Sequence, residues 1–150
     1  MKKLYVVGNK ASKSLSPTIF NYWFRKYNIK ASYGYLELTE KNFHNKIKDV
    51  LEKKDTLGLN VTIPFKNKII KHLGKIDAHA KKIGAVNCVT NKKTINGTNT
   101  DWTGYYKTLP KIKQTKNRKV IILGYGGASH AIHYVFCLLY TSPSPRDDVI

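Results

Sequence analysis

The chain has 150 residues, with 27 lysines and arginines against 9 aspartates and glutamates, for a formal net charge of +18. This length suits one ordinary domain and is short for two, and the 41% hydrophobic content with 10 tyrosines excludes a disordered chain. Because no apolar run approaches the roughly 20 residues of a membrane span, and residues 4–7 are too few for a signal-peptide core, we expect a globular cytoplasmic protein without a membrane partner.

The first half of the sequence predicts strands that alternate with helices. Apolar or alternating runs predict three strands, at residues 4–8, 32–38 and 57–63. The helical patterns that follow these runs begin at Ser16, Thr39 and Lys66. At the first of them we expect Ser16 as the N-cap and Pro17 as the first helical residue, because the serine hydroxyl accepts from a free N–H and proline lacks one.

The second half predicts further strands and helices, and a second α/β unit with its own glycine turn. Residues 86–90 predict a strand, 94–95 a short extended piece and 101–109 a helix. The polar segment 111–118 is the expected domain linker. After it, an apolar strand over 119–123 leads through a run of glycines into a helix over 128–139. Alternation of this kind is typical of the α/β class.

The charge and the cysteines predict no special site of their own. The lysines are scattered rather than gathered in one stripe, which favours a solvated surface over nucleic-acid binding. If nucleic acid were the partner, binding would be tight at low salt and fall steeply as salt rises. Cys88 and Cys137 lie in apolar surroundings without metal-type spacing, so we expect buried thiols, no disulfide and no metal.

Polar side chains stand at strand ends and helix starts, positions that converge on a crevice in α/β proteins. Four segments share this placement: Ser14–Pro17, Asn60–Lys66, Gly84–Asn87 and Gly97–Asp101. Ser14 and Ser16 flank a helix start, where free N–H groups favour an anion such as a carboxylate. Taken singly, each segment also has an ordinary explanation, such as capping for Ser16 and Asp101 or solvent exposure for Lys66.

In this order the four segments resemble the shikimate dehydrogenases, whose N-terminal domain carries S-x-S-P, N-V-T-x-P-F-K, G-A-x-N and N-T-D motifs. The resemblance covers roughly residues 4–136. It implies an α/β fold with a substrate-binding catalytic domain over residues 1–110, followed by the first βα unit of a truncated Rossmann-type NADP domain over 111–136. Residues 137–150 do not resemble the family.

The resemblance implies an NADP-dependent enzyme that reversibly reduces 3-dehydroshikimate to shikimate, on the route to chorismate and the aromatic amino acids. Ser14 and Ser16 would then hold the shikimate carboxylate. The residues implied to contact the ring hydroxyls are Thr62, Lys66, Asn87 and Asp101. We expect Lys66 to act as the acid/base with Asp101 as its orienting partner, because hydride transfer at a carbinol carbon needs a group that exchanges the hydroxyl proton.

The glycine turn is the implied NADP site, since glycines after a strand let the backbone approach a pyrophosphate at a helix start. The residues concerned are Gly124, Gly126, Gly127 and Ala128. Lys13 stands where the family commonly has histidine, and Tyr125 where alanine is common in the turn. We assign no residue to the choice between NADP and NAD, because no strand precedes Arg146, which is near the expected distance.

Two alternatives stay open within this resemblance. A quinate/shikimate dehydrogenase shares the same motifs, and activity on quinate with NAD would identify it. A non-catalytic shikimate-binding fragment would bind shikimate without turnover, because one βα unit cannot enclose a dinucleotide. Either form is expected as a monomer or a homodimer, and we expect the 150 residues by themselves to have no dehydrogenase activity.

Overall fold

The computed structural model describes residues 1–109 and 120–140. Six strands are present in these ranges: β1 (Lys2–Gly8), β2 (Ala31–Glu37), β3 (Thr56–Val61), β4 (Lys75–Ile76), β5 (Cys88–Asn91) and β6 (Ile95–Thr98). The α-helices are α1 (Ser16–Lys26), α2 (Phe43–Leu51), α3 (Ala78–Ile83), α4 (Asp101–Thr108) and α5 (Gly127–Tyr140). Short 3₁₀ turns cover Ala11–Lys13 and Lys68–His72. The α/β class is confirmed, and no described helix is long and apolar enough to cross a membrane.

The strands form one mixed sheet in the order β2-β1-β3-β5-β6-β4. β1 pairs in parallel with β2 on one side and β3 on the other, whereas β5 runs antiparallel to both β3 and β6. The chain therefore leaves β1 toward one side of the sheet and returns to its other side. In open α/β sheets, a reversal of this kind opens a crevice at the carboxyl ends of the strands.

Helices cover both faces of the sheet. On one face α1 packs through Phe20 and Phe24 against Val6 and Tyr33. On the other face α2 and the Lys68–His72 turn close over the larger core. As its apolar spacing predicts, α2 buries one stripe of side chains: Phe43, Ile47, Val50 and Leu51.

The helix start at Ser16 lies one residue earlier than expected. Ser16 is itself the first residue of α1, with Pro17 second, and no side-chain cap is made by the residue before it. The Ser14 hydroxyl instead accepts from the Ser16 N–H at 3.2 Å. The first serine of the motif, Ser14, thus accepts from a free N–H at the helix start. The expected N-cap at Ser16 is wrong by one position.

β4 and α3 are not predicted by the sequence pattern, and they are only 2 and 6 residues long. The signals for α3 are nevertheless in the sequence. The Asp77 carboxylate accepts from the Ala80 N–H at 2.8 Å, as an N-cap does. Gly84 ends the helix with a φ of 71°, a left-handed conformation that glycine adopts without a Cβ clash.

Of the strand predicted over 119–123 and the helix predicted over 128–139, the described residues form only the helix. α5 packs on α3 and α4, with Ala131 buried among Ile83 and Trp102. Residues 120–123 form no strand, and Leu123 is 93% exposed. The expected strand over 119–123 is therefore wrong for the described part of it, because a strand needs a neighbour for its backbone groups and none of the described strands pairs with it. The expected linker at 111–118 lies outside the described residues.

Neither cysteine is fully buried, contrary to the expectation for both. Val89 takes the core-facing position of β5, so the preceding Cys88 is turned to the other face. α5 turns Ala131 and Val135 inward, which leaves Cys137 on another side of the helix. No disulfide joins the two thiols.

A histidine pair ties α2 to the Lys68–His72 turn and should make stability depend on pH. His44 Nδ1 lies 2.8 Å from His72 Nε2. Burial lowers the pKa of His72 below its ordinary value of 6.5, and the charge of His44 lowers it further. The unfolded chain therefore binds more protons than the native state between these two pKa values. We expect the free energy of unfolding to rise with pH through that range and to level off above about pH 6.5.

This dependence can be measured by urea unfolding across the range from about pH 5 to about pH 8. In His72→Gln the rise should shrink, because the titrating group is gone. His44→Gln is the matched control, and it should keep the larger part of the rise, which comes from the burial of His72. An equal rise in wild type and His72→Gln would contradict this interpretation.

Candidate functional site

An open cleft of about 550 Å³ lies at the carboxyl ends of β1 and β3, where the direction of the chain across the sheet reverses. All six residues predicted to contact a substrate line it: Ser14, Ser16, Thr62, Lys66, Asn87 and Asp101. They come from four separate segments, which the topology brings to one sheet edge. Their roles toward a ligand stay predictions, whereas their common location is a feature of the fold.

Lys66 and Asp101 form an ion pair in the cleft. Lys66 Nζ lies 2.7 Å from Asp101 Oδ2, and the two side chains are 13% and 32% exposed. The backbone fixes the lysine, because the Lys66 carbonyl accepts from the Val86 N–H at 2.8 Å and the neighbouring Phe65 is fully buried. Asp101 is the first residue of α4, where a carboxylate is favoured by the helix dipole.

Asn87 holds the other side of the Asp101 carboxylate. Its Nδ2 donates to Asp101 Oδ1 at 2.7 Å and to Thr100 Oγ1 at 2.9 Å. Its Oδ1 accepts from the Thr100 N–H at 2.8 Å, which sets the orientation of the amide. Both carboxylate oxygens of Asp101 thus accept from a side chain. Lys66, which has three hydrogens and gives one to Asp101, keeps others to offer to a bound molecule.

Asn99 supports this arrangement from below and was missed as a site residue. It is 3% exposed, its Nδ2 donates to the Ala85 carbonyl at 2.9 Å, and its Oδ1 accepts from the Asp101 N–H at 3.0 Å. The start of α4 is thereby fixed to the segment just before β5, which carries Ala85 and Asn87. The signal for it was the asparagine of the N-T-D segment, since a buried amide needs partners for both of its polar atoms.

The opposite end of the cleft carries hydroxyls and positive charge. The Ser14 oxygen accepts from the Ser16 N–H, so the Ser14 hydrogen is available to a ligand. Lys10 and Lys13 line the same end. Hydroxyl donors beside two ammonium groups suit a carboxylate, because the lysines attract a negative charge and the hydroxyls give it directional hydrogen bonds. Lys10 was missed, since one lysine in a lysine-rich chain gives no signal.

Tyr33 does not line the cleft itself but is bonded to Asn60, which does. The Tyr33 hydroxyl donates to Asn60 Oδ1 at 2.6 Å, and Asn60 lines the cleft. Burial raises the pKa of Tyr33 to about 12, the Cys88 thiol adds to the rise, and a hydrogen bond from Ser16 opposes it. Tyr33 was missed because a tyrosine in an alternating strand looks like any core residue.

The glycine turn comes close to the lysine. A Cβ at Gly127 would lie 3.0 Å from both Cβ and Cδ of Lys66 and 3.4 Å from Cβ of Ala85. Glycine therefore allows α5 to begin directly against the Lys66 side chain. A second pocket of about 290 Å³ lies between this turn and Pro64, and Gly126 and Gly127 line it together with Lys66.

The rest of the turn is open. Gly124 has a φ of 106°, and a Cβ at Gly124 or Gly126 would meet nothing within 4 Å. The Gly126 N–H donates to Ser129 Oγ at 2.6 Å, while Ala128 belongs to the first turn of α5. The four predicted cofactor residues thus lie together at one helix start. Among the described residues, no group of three or more His, Cys, Asp or Glu side chains is arranged to hold a metal ion.

Comparison with known proteins gives one consistent family. Residues 6–89 match the family model described as the shikimate dehydrogenase substrate binding domain. The chain is 40% identical over 140 residues to the shikimate dehydrogenase (NADP(+)) of Pelagibacter ubique, covering 88% of this chain and 51% of that protein. It is 41% identical over 133 residues to that of Staphylococcus haemolyticus, covering 87% and 49%. The chain spans about half the length of the curated relatives it matches.

Solved structures agree. The shikimate dehydrogenase of Thermotoga maritima superposes with a TM-score of 0.80 at 32% identity, covering 91% of this chain and 51% of that one. The shikimate 5-dehydrogenase of Thermus thermophilus, solved in complex with NADP(H) and shikimate, superposes with a TM-score of 0.78 at 26% identity, covering 93% and 53%.

Proposed function

The chain belongs to the shikimate dehydrogenase substrate-binding domain family, whose model matches more than half of it, and we propose that it supplies the substrate-binding and proton-transferring half of an NADP-dependent shikimate dehydrogenase. The observation that carries this proposal is the hydrogen-bonded group of Lys66, Asp101 and Asn87 facing the Ser14 and Ser16 pair across one cleft. The reaction is the reversible reduction of 3-dehydroshikimate to shikimate.

The two ends of the cleft match the two ends of the substrate. Shikimate has a carboxylate on one side of its ring and hydroxyls on the other. Ser14 and Ser16, beside two lysines, are suited to the carboxylate. The end formed by Lys66, Asn87 and Asp101 offers both donors and an acceptor, which hydroxyl groups require. A bound ring is therefore oriented by charge at one end and by hydrogen bonds at the other.

Lys66 is proposed to exchange the proton. In the reducing direction its ammonium gives a proton to the oxygen of the carbonyl that becomes a hydroxyl, and in the oxidising direction its amine takes that proton back. The Asp101 carboxylate, 2.7 Å away, holds the amine in place and is itself fixed by Asn87. NADPH, when bound, supplies the hydride that this proton transfer accompanies.

The glycine turn fits the phosphates of such a cofactor. Open space surrounds Gly124 and Gly126, and the first-turn N–H groups of the 14-residue α5 face outward from the helix start. Gly127 and Ala128 would offer these groups, close to Lys66. We propose that residues 111–136 belong to a Rossmann-type nucleotide domain, of which the described residues form one helix.

Shikimate binding to the 150-residue chain tests the proposal. We expect calorimetry to show binding, without reduction of NADP+ when that is added, because residues 120–125 pair with none of the described strands. Ser14→Ala should weaken binding by roughly tenfold or more, since a hydrogen bond to a charged group is lost. Ser12→Ala is the matched control, because Ser12 bonds to Glu37 and does not line the cleft. The absence of shikimate binding, or equal affinities in the two variants, would contradict the proposal.

A further inference from the structure

Tyr33 is a buried hydroxyl that the reaction outlined above does not use. The residue is 3% exposed, and its ring stacks on Phe20 with centroids 4.6 Å apart and planes 9° from parallel. The stack places the ring between α1 and the sheet. Its hydroxyl is therefore held at one point beneath the cleft rather than free to rotate with a mobile ring.

The backbone of Tyr33 is fixed to the same helix. The Asn21 side chain accepts from the Tyr33 N–H at 2.9 Å and donates to the Tyr33 carbonyl at 2.8 Å. The backbone N–H and the backbone carbonyl of Tyr33 are thus both paired with the side-chain amide of one residue of α1. Because Ser16 begins α1, the position of that helix and the position of the tyrosine hydroxyl are coupled.

The hydroxyl is bonded to a residue of the cleft wall. It donates to Asn60 Oδ1 at 2.6 Å, and Asn60 lines the cleft. Since burial raises its pKa to about 12, the hydroxyl keeps its proton at neutral pH and remains a donor. With Oδ1 taken by this donor, the Asn60 NH₂ faces the other way, toward the Asn87 carbonyl at 3.5 Å.

We propose that Tyr33 is a positioning residue for substrate binding, which fixes the Asn60 amide so that its NH₂ group is presented to oxygen atoms of the ligand. An amide without this partner can turn over and present its carbonyl oxygen instead, which repels the same ligand atoms. The inference rests on the proposed function, because it takes shikimate as the ligand. It adds a residue outside the cleft lining that determines which way a lining residue points.

The test compares shikimate affinity in the wild type and four variants by calorimetry. Tyr33→Phe removes the hydroxyl and keeps the stacked ring, and we expect it to weaken binding roughly tenfold. Tyr35→Phe is the matched control on the same strand, because Tyr35 is 53% exposed, and it should bind like the wild type. If Tyr33 acts through Asn60, adding Tyr33→Phe to Asn60→Ala should cause no further loss. If Tyr33 merely supports the fold, Tyr33→Phe should weaken binding by the same factor in the wild type and in Asn60→Ala.

A ligand-free measurement separates this inference from the proposed function. In the ¹⁵N-labelled chain, the Asn60 side-chain NH₂ signals should move in Tyr33→Phe and stay in place in Tyr35→Phe. The positioning role would be overturned if the Asn60 signals do not move in Tyr33→Phe. It would also be overturned if the double variant loses affinity by the product of the two single losses. If the wild-type chain fails to bind shikimate, the proposed function fails and takes the assigned ligand with it, whereas moved Asn60 signals would still establish control of the amide by Tyr33.

Discussion

Replacing Lys66 with alanine is expected to lower kcat by about 10²–10⁴-fold, the usual contribution of a positioned acid/base group. The reason is geometric. Lys66 donates to one carboxylate oxygen of Asp101, and Asn87 holds the other oxygen, so the lysine is fixed in the cleft. The measurement needs a complete enzyme. A suitable one is a chimaera in which residues 1–136 of this chain replace the matching half of the Pelagibacter ubique protein.

Two further variants separate proton exchange from charge. Lys66→Arg keeps a positive charge but cannot release its proton, so it should be as slow as Lys66→Ala if the lysine exchanges the proton. Lys68→Ala is the matched control, because Lys68 pairs with Glu40 outside the cleft, and its kcat should equal that of the parent. Substantial turnover in Lys66→Arg would reduce the role of Lys66 to electrostatic binding.

The sequence predicted the composition of the cleft better than its internal contacts. Ser14, Lys66 and Asp101 could be identified because each stands at the end of an element, where α/β topology gathers side chains. The contacts made by Tyr33 could not, since a tyrosine in an alternating strand looks like any core residue. For Asn99, the asparagine of the N-T-D segment signals an amide that needs partners without identifying them. Which hydroxyl or amide meets which neighbour depends on the separation of strands that are distant in sequence, and local patterns carry no such distances.

The predicted strand over residues 119–123 shows that a strong local pattern is not sufficient to form a strand. Residues 119–123 have the composition of a buried strand, yet the described residues 120–123 form none and expose Ile121 and Leu123. A helix satisfies its backbone within itself, so α5 forms next to them. A strand depends on partners elsewhere in the chain, and its propensity therefore predicts less.

In the part of the core beneath the site, we expect substitution of Phe65 to lower the free energy of unfolding most. Its ring is fully buried and stacks on Phe43 with centroids 4.2 Å apart. Its N–H donates to the Thr62 carbonyl at 3.0 Å, which closes the turn that leads from β3 to Lys66. Core packing and the position of the catalytic candidate thus meet in adjacent residues.

Phe65→Ala should lower the free energy of unfolding by about 3–5 kcal/mol, from the lost apolar burial and the cavity that remains. That is a large part of the roughly 5–15 kcal/mol that stabilises a typical domain. Phe65→Leu should cost less because it keeps most of the volume. Ile63→Ala, two residues earlier at a 65% exposed position, should change stability by no more than about 0.5 kcal/mol. Urea unfolding monitored by circular dichroism measures all three, and equal midpoints for Phe65→Ala and Ile63→Ala would show that the turn does not depend on this ring.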